Sequence, residues 1–511
     1  MTAPEITEIT DQPYAGLLDV PQTADGKPGI ITEEANYGRT DGQIALTAPH
    51  LLVVGKTGSG KSRTVLAPNC NRWGPRGLVV MSSKGDLSEE TIRRRARYGT
   101  QYVMDLSGEI RDGKIKGVPL TPVRIDPCAW IETDDEAMEM ASLLMQIGDV
   151  GAGGDGQGSG DSAFWKSLAR RRLACLLRAG GFYRDPDTRE MVWGGGITWV
   201  LEASENVGPD AVKEDEKKGR GLTQEGLDDD DDESAPEEPE EPEPVDMDTA
   251  NWSVAYARAF SVRSRHADSL MAARAMDERQ RDSIGINMQV ACSSWAMEST
   301  AAPGAKVFNP SMLATGGTLH IVAGMDGAAP TVVSTVLIEI VRYWRKRVGQ
   351  LEPVMFVLDE FVNGAQIPAR YVNRWISEGR GLGIRAVLSL QSTKSLTRLW
   401  GQAAADELRA IMPAALILPG AGENQMLKDA AETTPPEERV VTTLDAGGRA
   451  SQSRQMVQPT HAELLPPPRS RTDPKISYGR LLLSGQAGVR VRLYDIDGTN
   501  LRAEKEKTEA R

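Results

Sequence analysis

The chain has 511 residues and no run approaching the ~18 consecutive apolar residues of a membrane helix. Its first residues, Met1 to Asp11, are polar and acidic and lack the apolar centre of a signal peptide. There are only four cysteines, Cys70, Cys128, Cys175 and Cys292, far apart and without metal or disulfide spacing. That usage fits a reducing cytoplasm. Aromatic residues are sparse, but the 40% apolar content is ordinary, and the length allows two or three domains. Basic residues are missing from Glu225 to Asp248, where 14 residues are acidic. Setting those aside takes the net charge from −13 to +1 for the remainder. Bulk charge therefore gives no argument against a nucleic-acid partner.

What is present begins with His50-Leu51-Leu52-Val53-Val54, an apolar run that reads as a buried strand. Gly55-Lys56-Thr57-Gly58-Ser59-Gly60-Lys61-Ser62 follows at once and matches GxxxxGK[ST] at every fixed position. Glycines let the backbone wrap a polyphosphate with its N–H groups turned inward, and the next helix offers its positive end to the same anion. Lys61 is expected to bridge the β- and γ-phosphates of ATP and Ser62 to hold Mg²⁺.

The chain then reads as strand, helix, strand through 77–81, 88–98 and 101–104, a βαβ unit of a parallel sheet. Helical spacing follows over 134–147, with Ala137, Met140, Ala141, Leu144 and Met145 on one side, and over 162–180, with Phe164, Leu168, Leu173, Leu176 and Leu177. A glycine-rich loop, 148–160, separates them. Residues 205–249 lack apolar side chains for a core and read as disordered. Strands return at 318–322, 354–358, 384–389 and 414–418, and 477–496 alternates like a hairpin. Val354-Met355-Phe356-Val357-Leu358-Asp359-Glu360 is an apolar strand ending in two acids, the Walker B pattern. Asp359 is expected in the Mg²⁺ shell and Glu360 as the general base for water. Gln391, at the end of the next strand, is a candidate γ-phosphate sensor. Arg380, in a glycine-rich turn before that strand, is a candidate arginine finger for a neighbouring subunit, with a solvated loop arginine as the other reading.

These residues resemble the type IV coupling proteins of the TraG/TraD type. The resemblance rests on the P-loop, Ala67-Pro68-Asn69, Ser83-Lys84-Gly85-Asp86, Asp161-Ser162-Ala163-Phe164-Trp165, Leu358-Asp359-Glu360-Phe361, Gly379-Arg380-Gly381-Leu382-Gly383-Ile384 and Leu390-Gln391-Ser392, in that order. Leu396-Thr397-Arg398-Leu399-Trp400-Gly401 resembles the continuation. It implies an α/β fold: a RecA-like P-loop ATPase domain with a mostly parallel sheet, interrupted by an all-α insertion domain. The corresponding divisions are 1–40 (N-terminal arm), 41–128 (first half of the ATPase domain), 129–312 (insertion), 313–460 (second half) and 461–511 (hairpin and tail). It also implies a homo-hexameric ring that hydrolyses ATP with Mg²⁺ and translocates DNA, single-stranded or relaxase-bound, towards a secretion channel.

Three features depart from the family. Its N-terminal membrane helices are not seen, Ser82-Ser83 stand where Asp-Pro is usual, and the acidic insert is extra. The expectation is a cytoplasmic chain, either peripheral at the inner face of the membrane and anchored by a membrane-embedded channel protein, or of a soluble branch. A DNA-segregation or repair translocase of the FtsK/HerA kind, and a nucleotide-gated docking adaptor with slow turnover, remain alternatives. Arginine clusters at 93–95, 170–172, 258–281 and 342–347 offer DNA contacts, with solvated helix faces as the commoner reading.

Overall fold

The computed structural model describes residues 12–20, 30–31, 38–110, 113–151, 160–208, 246–297, 300, 302, 304–324, 329–421, 423–444, 450–467, 476–483 and 486–495. Most of the expected N-terminal arm and acidic loop, the middle of the glycine-rich loop and the last 16 residues lie outside these. No helix among the described residues is long and apolar enough to cross a membrane. The chain divides into two units, one of residues 1–125, 149–157 and 297–511, the other of 126–148 and 158–296.

The first unit is built on a 12-stranded sheet. Its strands in chain order are β1 (Leu17–Leu18), β2 (His50–Val54), β3 (Leu78–Ser82), β4 (Gln101–Asp105), β5 (Thr121–Arg124), β6 (Lys306–Val307), β7 (Thr318–Val322), β8 (Val354–Leu358), β9 (Ile384–Leu390), β10 (Ala414–Ile417), β11 (Ile476–Leu483) and β12 (Gln486–Tyr494). Across the sheet they run β1-β12-β11-β10-β2-β9-β8-β3-β7-β4-β5-β6. Every pairing from β10 to β6 is parallel, and the remaining edge is antiparallel. Strands β2, β3, β7, β8 and β9 are buried at every position. This explains their continuous apolar runs, because a parallel sheet is covered on both faces.

Helices of this unit include α1 (Ala67–Arg72) and α2 (Asp86–Arg95). A π-helical turn, Ser62–Leu66, runs from the P-loop straight into α1. Part of the expected arm is core instead: Tyr14, Ala15, Leu17 and Leu18 are fully or almost fully buried. Strand pairing with β12 holds Leu17 and Leu18, and Asn69 of the Pro-Asn step holds Tyr14. It accepts from the Tyr14 backbone N–H at 2.7 Å and donates to the Tyr14 carbonyl at 2.9 Å. One side chain thus replaces a strand partner at Tyr14, just ahead of β1, in a segment without periodicity, the reason its burial is not visible in the pattern.

The second unit is mostly helical: α3 (Asp134–Gly151), α4 (Gly160–Gly180), α5 (Gly196–Glu205), α6 (Trp252–Ser261), α7 (Ala267–Arg274) and α8 (Glu278–Cys292). Thr133 and Glu136 form a reciprocal capping box at the start of α3, and Asn251 and Asp277 cap α6 and α8. The expected apolar side of α3 is buried throughout. On α4 two residues depart: Leu168 is half-buried, and Phe164 is 58% exposed, its ring edge-on to Trp165. Two strands, Phe182–Arg184 and Met191–Trp193, also pair within this unit. Arg258 lies at the centre, buried between the Tyr183 and Trp199 rings and donating to Gly194 O and Met247 O.

Two buried histidines predict acid sensitivity. Burial, reinforced by Arg385, lowers His50 to about 4; burial, reinforced by Arg95, lowers His320 to about 3. Both are neutral in the fold, whereas the unfolded chain protonates near 6.5, so stability is full above that value and falls as the pH drops through it. Each histidine should cost ~2 kcal/mol between pH 7 and 5. Denaturant titrations at the two pH values check this, and equal stabilities would contradict it.

Candidate functional site

Strand β2 ends at Val54, and the P-loop turns back over the sheet's C-terminal edge. The Gly58 and Gly60 backbones adopt φ +77° and +92°, left-handed conformations that need glycine. A Cβ at Gly55 would lie 2.5 Å from Ser59 Oγ and 3.0 Å from Leu418 Cδ1, so this position also requires glycine. Lys61 is only 6% exposed and donates from Nζ to Gly55 O at 2.6 Å, folded over its own loop. Burial lowers its pKa, and Asp359 and Glu360 oppose that shift. Ser59 Oγ is buried with no hydrogen-bond partner among the described residues, a donor left over inside the cradle.

The sheet order then brings the second half of the site to the first. Strand β9 lies between β2 and β8, so residues at the ends of all three strands meet at one edge. Ser62 Oγ is 3.2 Å from Asp359 Oδ2, and Ser389 Oγ donates to Asp359 Oδ1 at 2.9 Å. Burial raises the Asp359 carboxyl, while the Ser389 hydroxyl and Lys61 pull the other way. Gln391 Nε2 donates to Glu360 Oε1 at 2.7 Å. Glu360 has φ +48° and starts the short helix Phe361–Gly364. Hydroxyl and carboxylate oxygens side by side are the hard donor set that suits a magnesium ion.

Arg380 is not brought to this cluster. It was expected in a glycine-rich turn, but Ala369–Leu382 is one helix, α9, with Arg380 exposed in its last turn. The reason is that Gly379 and Gly381 are tolerated inside the helix, and only Gly383, at φ +78°, terminates it. Gly379 is also packed tightly, since a Cβ there would meet the His50 ring at 2.8 Å. Arg380 precedes β9 and Gln391 follows it, so the length of that strand, about 20 Å at ~3.3 Å per residue, separates them. No hydrogen-bond or ion-pair partner holds its guanidinium among the described residues.

Ser389 and Arg63 were missed by sequence reasoning. Ser389 could have been flagged as the one hydroxyl within the apolar strand β9. Arg63 gives no local signal: it pairs with Glu90 and, through two nitrogens, with Asp495, 432 residues away. The arginine clusters prove to be largely engaged within the protein. Arg95 is fully buried and donates to Thr318 and Arg76 O. Arg171 and Arg172 bond backbone carbonyls of Arg265 and Ser269, and Arg342 and Arg345 pair with Glu339 and Glu378.

Residues 353–475 match the TraG-D_C family, described as the TraM recognition site of TraD and TraG. That segment, about a quarter of the chain, is similar to the corresponding part of TraD and TraG. The match starts at β8, so it includes Asp359, Glu360, Arg380 and Gln391. Among solved structures, the chain is similar to the plasmid coupling protein TrwB in complex with a non-hydrolysable ATP analogue, at 14% identity over 96% of each chain and a TM-score of 0.50. It is also similar to TrwB with a GTP analogue (13% identity, 96% of this chain and 97% of that one, TM-score 0.49). VirB4 of Thermoanaerobacter pseudethanolicus gives 10% identity, 96% and 98% coverage and a TM-score of 0.43. Curated proteins give no sequence match. The first structure shares the fold of this chain, a RecA-like P-loop ATPase fold with a helical unit.

Proposed function

We propose that the chain is an ATP-hydrolysing coupling protein that recruits DNA, free or relaxase-bound, and drives it into a type IV secretion channel. The observation that carries this is the convergence of Lys61, Ser62, Asp359, Glu360 and Gln391 on one sheet edge, the last three from the segment that matches the coupling-protein family. Gly55, Lys56, Thr57, Gly58, Ser59 and Gly60 wrap the phosphates, and Lys61 leaves the Gly55 carbonyl to neutralise them. Ser62 and Asp359 would hold Mg²⁺, which would supply positive charge beside the phosphate oxygens. Glu360 takes the proton from the attacking water. The TrwB structure that shares this fold holds a non-hydrolysable ATP analogue, which supports ATP as the ligand here.

Arg380, too far along β9 to serve its own P-loop, suits a finger given to the next subunit of a homo-hexamer. The chain acts in the cytoplasm, docked at the inner membrane face on a membrane-embedded channel protein.

The test is steady-state ATPase with and without single- and double-stranded DNA, using Lys61→Ala as the blank. A several-fold stimulation by DNA, absent from the blank, is expected. Turnover indifferent to either DNA would instead favour a docking adaptor.

A further inference from the structure

Glu360 is held where a free general base would not be. One carboxylate oxygen, Oε1, accepts the Gln391 amide at 2.7 Å. The other, Oε2, is buried and meets no donor among the described residues. The backbone is left-handed at φ +48° and ψ +46°, a conformation a glutamate keeps only when its surroundings impose it. Two backbone bonds impose it here, with Asn363 N–H and Gly364 N–H both donating to Glu360 O at 2.9 and 3.1 Å. The Gln391 amide fixes the side chain in the same way. Because β9 lies between β2 and β8, that amide stands between the phosphate cradle and the carboxylate.

We propose that Gln391 is a latch on Glu360: it holds the carboxylate in a resting position and releases it when the terminal phosphate of bound ATP recruits the same amide. This rests on the reading of Glu360 as the base. A phosphate oxygen carries more charge than a shared carboxylate oxygen and is a strong acceptor for an N–H donor. The bound triphosphate therefore competes with the carboxylate for the amide, and Oε1 is open to the nucleophilic water in about one ATP-bound molecule in ten, the balance set by one hydrogen bond to a charged group. Loss of the γ-phosphate returns the amide to Glu360. Gln391 in this role is a positioning residue, with a sign of effect opposite to that of a residue that merely aims the base.

The experiment compares wild type, Gln391→Met, Gln391→Asn and Glu360→Gln in steady-state ATP hydrolysis without DNA, with melting temperature and ATP affinity measured alongside. Methionine keeps the length and removes the donor; asparagine keeps the donor on a stem one methylene shorter. Gln391 is exposed, so both variants should melt as wild type does. Both should raise kcat about tenfold, the factor carried by one hydrogen bond to a charged group, and both should raise KM, because the phosphate loses a donor. The double variant Glu360→Gln/Gln391→Met should be no faster than Glu360→Gln, since the gain runs through the carboxylate. An unchanged or lower kcat in Gln391→Met overturns the latch. If that happens while Glu360→Gln is inactive, the base assignment stands and only the latch falls. If Glu360→Gln turns over like wild type, the base assignment falls and the latch with it.

Discussion

Glu360→Gln should bind ATP about as tightly as wild type and hydrolyse it 10²- to 10⁴-fold more slowly, the range of general-base catalysis. The substitution keeps the size of the side chain and its hydrogen bond to Gln391, with the amide oxygen replacing Oε1 as acceptor. What it removes is the lone pair that takes the proton from water. Lys61→Ala should fail in another way. Lys61 is buried on the P-loop and contributes to phosphate binding itself, so affinity and turnover should both drop. Nucleotide titration followed by single-turnover hydrolysis separates the two. Near-normal turnover in Glu360→Gln would mean that the acid at the end of β8 is not the base.

Arg380→Ala should be silent in folding and severe in activity. The side chain is exposed and unpaired among the described residues, so its loss removes no internal contact. If it completes a neighbour's site, wild-type activity should rise faster than linearly with protein concentration as rings form. Mixed rings should then be poisoned, because each mutant subunit leaves the adjacent phosphate charge unstabilised. A missing finger costs about 10³-fold or more, so a modest mutant fraction should be visible. Linear concentration dependence, with mixtures showing dilution alone, would return Arg380 to the status of a surface residue.

Much of this site was legible in the sequence because its parts are locally encoded. A P-loop must carry its glycines and lysine in one run, and a buried parallel strand must be apolar to its end, so Asp359 and Glu360 stand out against Val354–Leu358. The parallel βαβ sheet followed from the same runs, and its RecA-like form from the family resemblance. Contacts between remote stretches were not legible. Ser389 acts through a carboxylate on the adjacent strand, and that adjacency depends on strand order, which no local pattern encodes. The burial of Tyr14 depends on one asparagine 55 residues away. Arg380 was misplaced for a different reason: glycines at 379 and 381 suggested a turn, while packing on His50 and an amphipathic register kept the helix going.

The pairing of β1 with β12 has a consequence for how the protein is made. Leu17 and Leu18 lie opposite Arg492 and Val491, and Asp19 accepts from Arg490. The same late strand is followed by Asp495, which grips Arg63 one residue beyond the P-loop serine. A ribosome therefore delivers the start of the sheet long before the strand that seals its edge and steadies the turn beneath the phosphates. Until β9 and β10 emerge β2 lacks its neighbours, and β1 lacks its own until β12 does, so apolar surface is open to chaperones or to other nascent chains. Parallel strands joined over such separations fold slowly. Synthesis of the helical unit, which is continuous between β5 and β6 apart from the short return at 149–157, falls within that wait.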